Sequence, residues 1–253
     1  MRFRSDPGTA RVLVVAGVFS AGHADPWLLD DLVSEFARLG AHVDVIAHDM
    51  KQARSTGPGE STSPNVRVWS AGPTKRHESA IGKLYDYAST GLRLHTSAYR
   101  FVRRSRYDLC VFTSIGAFSF GFPRRVRRAG IASSLLFVLW DFFPVHQLEV
   151  GRMKLHWLHG PLRALERFAI AASDTIAVMT PRNAEFLRAY HPGLEAEVVI
   201  VPPWAPPLDP LRTPRAVAKF DTFTVLFGGQ LVHGRGVETV LDGAAELLGR
   251  AEE

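Results

Sequence analysis

A chain of 253 residues with 46% apolar and 22% charged residues and a mean hydropathy of +0.01 has the composition of a globular protein with a sizeable core; a disordered, collagenous or coiled-coil chain is excluded. Its single cysteine, Cys110, excludes a disulfide framework, and its longest apolar stretches, Leu109 to Pro123 and Ile131 to Trp140, fall short of the roughly 18 residues that span a membrane. The formal charge of +5 is uneven: residues 1–70 carry net −1, residues 71–130 net +9 (twelve basic against three acidic) and residues 131–253 net −3.

In chain order, "RVLVVAGVF" predicts a first buried parallel strand over 11–16, a near-continuous Val/Leu run that ends in a glycine turn. Arg2 and Arg4 with the small-residue "SAGHA" also fit a secretory signal peptide, but Asp6 spoils the basic flank, and a cytoplasmic chain is expected. The following loop holds Gly17, Gly22, His23 and Asp25, where glycines let the backbone approach a ligand at the carboxyl ends of parallel strands; these are the candidate acceptor contacts, and Asp25 equally suits a cap of the next helix. A helix over 26–39, opened by Asp25-Pro26, leads to strands at 42–47 and 66–70.

The basic segment predicts a helix from 79 to 104, with Ile81, Leu84, Tyr85, Ala88, Leu92, His95, Tyr99 and Val102 as the apolar stripe. Lys83, Arg93, Arg100, Arg103, Arg104 and Arg106 flank it, the pattern of a helix that lies on an anionic membrane surface; nucleic acid is the other polyanion to fit, without a recognition motif to support it. A strand at 108–113 with Cys110 buried, a helix at 116–129 ending in Arg124, Arg125, Arg127 and Arg128, and a strand at 133–139 follow. The phrase "LWDFFPVHQLEVGR" then places Asp141, His146, Glu149 and Arg152 beside the carboxyl end of that strand. Asp141 or His146 suits a base that orients or deprotonates an acceptor hydroxyl, and Arg152 an anionic acceptor group. Equally, Asp141 suits a turn before Pro144 and the rest a solvated loop.

A helix at 156–172, a strand at 174–178, a helix at 182–190 opened by Thr180-Pro181 and a strand at 197–201 complete a Rossmann-like open parallel sheet over residues 1–201. Prolines 202, 203, 206, 207, 210 and 214 make residues 202–219 a linker. A strand Thr222–Phe227, the turn "GGQLVHGRG" and a helix Val237–Leu248 open a second unit, 220–253, too small to bury its own apolar face. Its turn is neither a Walker A loop nor a dinucleotide fingerprint. His156 and His159 lack ligands at metal spacing, so no metal is expected.

In that order the opening strand and glycine loop, "LWDFFPVHQLEVGR", "SDTIAVMTPRNAEFLRAYHPG", "VVIVPPW" and "VLFGGQLVHGRGVETVLDGAAELL" resemble the GT-B glycosyltransferases of family four, most closely the branch that builds surface polysaccharides on a polyprenyl lipid. The resemblance implies a retaining sugar transferase without a metal or other cofactor, peripheral on the inner face of the membrane. It would take a nucleoside-diphosphate sugar as co-substrate and a lipid-linked or saccharide acceptor. Residues 1–201 correspond to the acceptor-side domain and 220–253 to the first βα unit of the donor-binding domain, whose paired glutamates are not in this sequence; the chain is expected to be a fragment or to work with a separate C-terminal half. By the same resemblance Gly229, Arg235 and Gly236 form the donor turn, which departs from the family where Gln230 stands for Arg, Arg235 for Lys and Pro203 for Asn. A sugar transfer needs a leaving diphosphate neutralised, which Arg235 and the N-terminus of the Val237 helix suit; a tight strand-to-helix turn explains the same glycines. Two other classes stay open: a non-catalytic docking half that pairs with a catalytic chain, and a nucleotide-sugar epimerase.

Overall fold

The structure, a computed structural model, describes residues 10–20, 28–50, 57–59, 63–72, 79–113, 121–151, 153, 156–204, 224–226 and 236–251. Its centre is an eight-stranded sheet of β1 (Arg11–Phe19), β2 (His42–Met50), β3 (Gly57–Gly59), β4 (Val66–Ser70), β5 (Tyr107–Phe112), β6 (Ala132–Leu139), β7 (Thr175–Val178) and β8 (Glu197–Ile200), in the order β3-β4-β2-β1-β5-β6-β7-β8. Seven strands are parallel, as expected; β3 pairs antiparallel with β4 at one edge.

The Val/Leu-rich strands suit burial on both faces. In β1, Leu13 and Val15 enter one core cluster while Val12, Val14 and Ala16 enter the other; in β5, Cys110 and Phe112 part from Leu109 and Val111 in the same way. Leu29 and Val33 of α1 (Leu28–Arg38) cover the second cluster. α2 (Ala80–Arg93) runs into a π-helical turn (Leu94–Ala98), which with α3 (Tyr99–Val102), α4 (Gly121–Arg128), α6 (His159–Ile170) and α7 (Pro181–Tyr190) covers the first; between β6 and α6 lies the short α5 (Val145–Glu149). Cys110 is wholly buried, and desolvation raises its thiol well above the usual value. Helix starts follow local chemistry: Ser79 Oγ accepts from the Gly82 amide at 3.1 Å, and Thr180 Oγ1 from that of Asn183 at 3.1 Å with Pro181 next in line.

The long basic helix departs from expectation. The π turn breaks its 3.6-residue period, so Leu94, Ala98 and Val102 point inward, while Tyr85 and Leu92, each 65% exposed, face out with Ala88. Thr96 Oγ1 donates to the Leu92 carbonyl at 2.7 Å within that turn, diverting an acceptor from the α-helical ladder. Of the second unit, residues 224–226 form no strand, whereas α8 (Val237–Ala251) matches the expected helix and leaves Val240, Leu241 and Leu247 exposed. Among the described residues no helix is long and apolar enough to cross a membrane.

Candidate functional site

The chain leaves β1 toward β2 on one side, and leaves the adjacent parallel strand β5 toward β6 on the other. Such a reversal opens a crevice at the carboxyl ends of the strands, where open α/β sheets take ligands. Gly17 lies here, inside β1 rather than in the loop after it; its amide donates to Thr113 Oγ1 at 3.2 Å and is thereby engaged within the sheet end. The Ser20 amide, just past β1, donates to both oxygens of the buried Asp30 carboxylate at 2.9 and 3.2 Å, which fixes how the chain leaves the strand.

The wall after β6 is built from Trp140 to Glu149. Asp141 is exposed at the end of the strand, Phe142 turns into the core against Phe186 (ring centroids 4.7 Å apart), and the Phe143-Pro144 bond is cis. The His146 amide donates to the Phe142 carbonyl at 2.9 Å, starting α5, so one tight turn presents both the Asp141 carboxylate and the half-buried His146 imidazole. Neither side chain has a hydrogen-bonding partner among the described residues, which leaves both available to a ligand. Trp140 packs on Trp204 at 5.8 Å, and the Trp204 indole N–H donates to the Leu28 carbonyl at 2.7 Å, which ties the segment after β8 to the start of α1. The Trp140 indole N–H is buried with no acceptor among the described residues.

Beneath this turn lies a pair that the sequence reading missed. Glu166 of α6 accepts from the Phe143 amide through Oε1 at 2.8 Å, and its Oε2 lies 2.8 Å from Nε2 of His191, just past α7; both side chains are buried. Desolvation raises the Glu166 carboxyl pKa, with the His191 contact and the Phe143 amide pulling it back down.

The remaining candidates divide. Gly22, His23, Asp25, Arg152, Gly229 and Arg235 lie outside the described residues, as does the side chain of Lys83. Gly236 precedes α8 at φ +73°, a left-handed conformation that favours glycine. Arg93 is no part of an exposed basic face: its guanidinium turns inward, donating to the Ala71 carbonyl at 3.0 Å and to Ser89 and Thr90 at 3.2 Å each. Arg100, Arg103 and Arg104 are exposed. In the α4 cluster Arg124 stacks on Phe168, Arg125 donates to the His95 carbonyl over the Tyr99 ring, and Arg127 pairs with Asp174, so most of that charge is structural.

A sequence model described as glycosyl transferase 4-like domain matches residues 28–204, from α1 through β8 to Trp204. The chain belongs to this glycosyltransferase family. A search of curated protein sequences gives no match. Among solved structures, the glycosyltransferase-family chain is similar to sucrose-phosphate synthase from Thermosynechococcus elongatus at 15% identity and TM-score 0.51, over 76% of this chain and 48% of that one. A shorter chain of the same synthase matches at 13% identity and TM-score 0.49, over 76% and 88%. A ugt transferase from Siraitia grosvenorii in complex with UDP matches at 12% identity and TM-score 0.43, over 76% and 51%. At these identities the likeness concerns the fold, that of the Rossmann-like N-terminal domain of GT-B glycosyltransferases. The chain spans about half the length of the longer structures it matches.

Proposed function

We propose that this glycosyltransferase-family chain supplies the acceptor side of a retaining sugar transfer from a nucleoside-diphosphate sugar to a lipid-linked acceptor in polysaccharide or glycolipid synthesis. The observation that carries the reading is the Asp141–His146 turn: an exposed carboxylate and a half-buried imidazole on one tight turn at the carboxyl end of β6, in a chain whose family match covers that wall. The acceptor hydroxyl lies against this turn; one of the two groups takes its proton while the other orients it. The sugar's anomeric carbon bonds to the acceptor oxygen as its bond to the diphosphate breaks, and Arg235 and the amides that open α8 take up the leaving charge, with Gly229 and Gly236 shaping the turn. Gly17, Gly22, His23, Asp25 and Arg152 belong to the acceptor side in this reading, no metal or other cofactor takes part, and residues 202–219 link the two sides.

Exposed Tyr85 and Leu92 on α2, with Arg100, Arg103 and Arg104 further along, support docking on the inner, anionic face of a membrane, where such an acceptor resides. The same face favours a second reading, a non-catalytic docking half whose catalytic partner is another chain.

The test is transfer of labelled sugar from a panel of nucleoside-diphosphate sugars into membrane lipid extract, by the chain alone and with a separately supplied GT-B C-terminal domain. Label in the lipid fraction that depends on Asp141 is expected once donor-side residues are complete. Label that appears regardless of Asp141 overturns the site; no label from any donor leaves the docking half as the better reading.

A further inference from the structure

The buried pair beneath the Asp141–His146 turn is the strongest feature the proposed mechanism does not use. Glu166 and His191 are 3% and 1% exposed, on segments separated by β7 and α7. Burying an ionisable pair is poor economy if stability is the only gain, because apolar residues of similar volume often serve as well or better. The geometry shows what an apolar pair would lack. One oxygen of Glu166 accepts from the amide of Phe143, which lies between Asp141 and His146, and the other is held by His191. The first wall of the crevice is built the same way, with the Asp30 carboxylate of α1 accepting from the Ser20 amide. The loops that leave β1 and β6 at this end are therefore each fixed by a buried carboxylate from the next long helix.

We propose that Glu166 is a positioning residue: its carboxylate, steadied by His191, holds the Phe143 backbone so that Asp141 and His146 face the acceptor. This rests on the reading of that turn given above.

The test compares Glu166→Leu with Glu166→Gln in the full chain. Leucine keeps the volume and loses the acceptor; glutamine keeps an oxygen for Phe143 and an N–H for Nε2 of His191. Hydrogen exchange across residues 141–150 is expected to quicken by about tenfold or more in Glu166→Leu, with β1 and β5 unchanged, and to return close to the parent's in Glu166→Gln. In the transfer assay Glu166→Leu should lower kcat by about tenfold to a hundredfold with the KM for the donor unaltered, and Glu166→Gln should restore it. Exchange at 141–150 that stays at the parent's rate, or quickens evenly over the chain, overturns the anchoring. A loosened turn with undiminished transfer overturns the positioning role. If Glu166→Leu does not fold, His191→Leu carries the test by removing the tether alone: faster exchange at 141–150 supports the proposal and an unchanged rate overturns it. A parent chain that transfers nothing to any acceptor even with the GT-B C-terminal domain supplied brings down the reading of the site and the role with it, while exchange still reports whether the carboxylate anchors the turn.

Discussion

At the amino-terminal end of the sheet the carboxylates are engaged, whereas at the carboxyl end one is left open. Asp44 of β2 accepts two hydrogen bonds from the Arg67 guanidinium at 2.7 and 2.6 Å and a third from the Tyr107 hydroxyl; Asp108 accepts from the Arg11 amide at 2.9 Å; Asp174 accepts from the Leu135 amide at 2.7 Å and from Arg127. These bonds lock β2 to β4, β1 to β5 and β6 to the start of β7. At the opposite end Asp30 and Glu166 fix the loops from below, while Asp141 and His146 have no such partner among the described residues. Saturated charge marks scaffold, and in the proposed reading the unsaturated charge marks the place for chemistry: an unpaired exposed carboxylate costs little in water and is open to a substrate proton.

The most severe way to break that contrast is to remove a scaffold carboxylate. Asp44→Ala leaves the Tyr107 hydroxyl and Arg67 without their shared acceptor and should cost about 3 kcal/mol in urea unfolding, with activity per folded molecule unchanged. A loss below about 1 kcal/mol would show that water replaces the carboxylate and that this end is not locked. Asp141→Asn is the mirror experiment. It should lower sugar transfer about a hundredfold, equivalent to about 2.7 kcal/mol, and leave the melting temperature unmoved. Near-parental turnover would remove Asp141 from the chemistry, and a large drop in stability would place it with the scaffold.

A third measurement uses pH. His48, near the carboxyl end of β2, is pushed by burial down to about 4 from its usual 6.5. The native state therefore resists a proton that the unfolded chain takes up readily. Stability is complete above pH 6.5 and falls as pH drops toward 4, by about 2 kcal/mol at pH 5 for this one group. His48→Gln should flatten that part of the stability profile between pH 7.5 and 5. An identical slope in parent and variant would mean that the imidazole protonates freely in the folded chain.

The parallel sheet was legible because its strands are apolar runs closed by glycine, proline or a charge, and Asp141 stood out as a carboxylate directly after such a run. β3 was not, since Gly57, Pro58 and Gly59 carry no alternation and pair through backbone alone. A single period carried across the π turn gives the basic helix the wrong buried face, and Arg93 reads as surface although its side chain is long enough to reach the Ala71 carbonyl. Glu166 looks like any acidic residue on an amphipathic helix; its partners Phe143 and His191 lie 23 and 25 residues away, a convergence that no local spacing encodes.

The smallest expected effect concerns charge that belongs to neither end of the sheet. Arg93, Arg125 and Arg127 are bound to carbonyls or to Asp174, so of the +9 segment the free cations on and just past the long helix include Arg100, Arg103 and Arg104. Each basic residue near an anionic bilayer contributes about 1 kcal/mol, screened by salt, while exposed Tyr85 and Leu92 offer apolar area for the headgroup boundary. Arg100→Ala and Arg103→Ala should therefore each weaken sedimentation with phosphatidylserine-containing vesicles about fivefold, and Arg93→Ala should weaken it far less while lowering stability, because its guanidinium is spent on Ala71, Ser89 and Thr90. Binding to phosphatidylcholine vesicles should be negligible throughout. An Arg93→Ala loss equal to that of Arg103→Ala would place Arg93 at the membrane after all, and equal binding to both kinds of vesicle would show that the basic face is merely solvated.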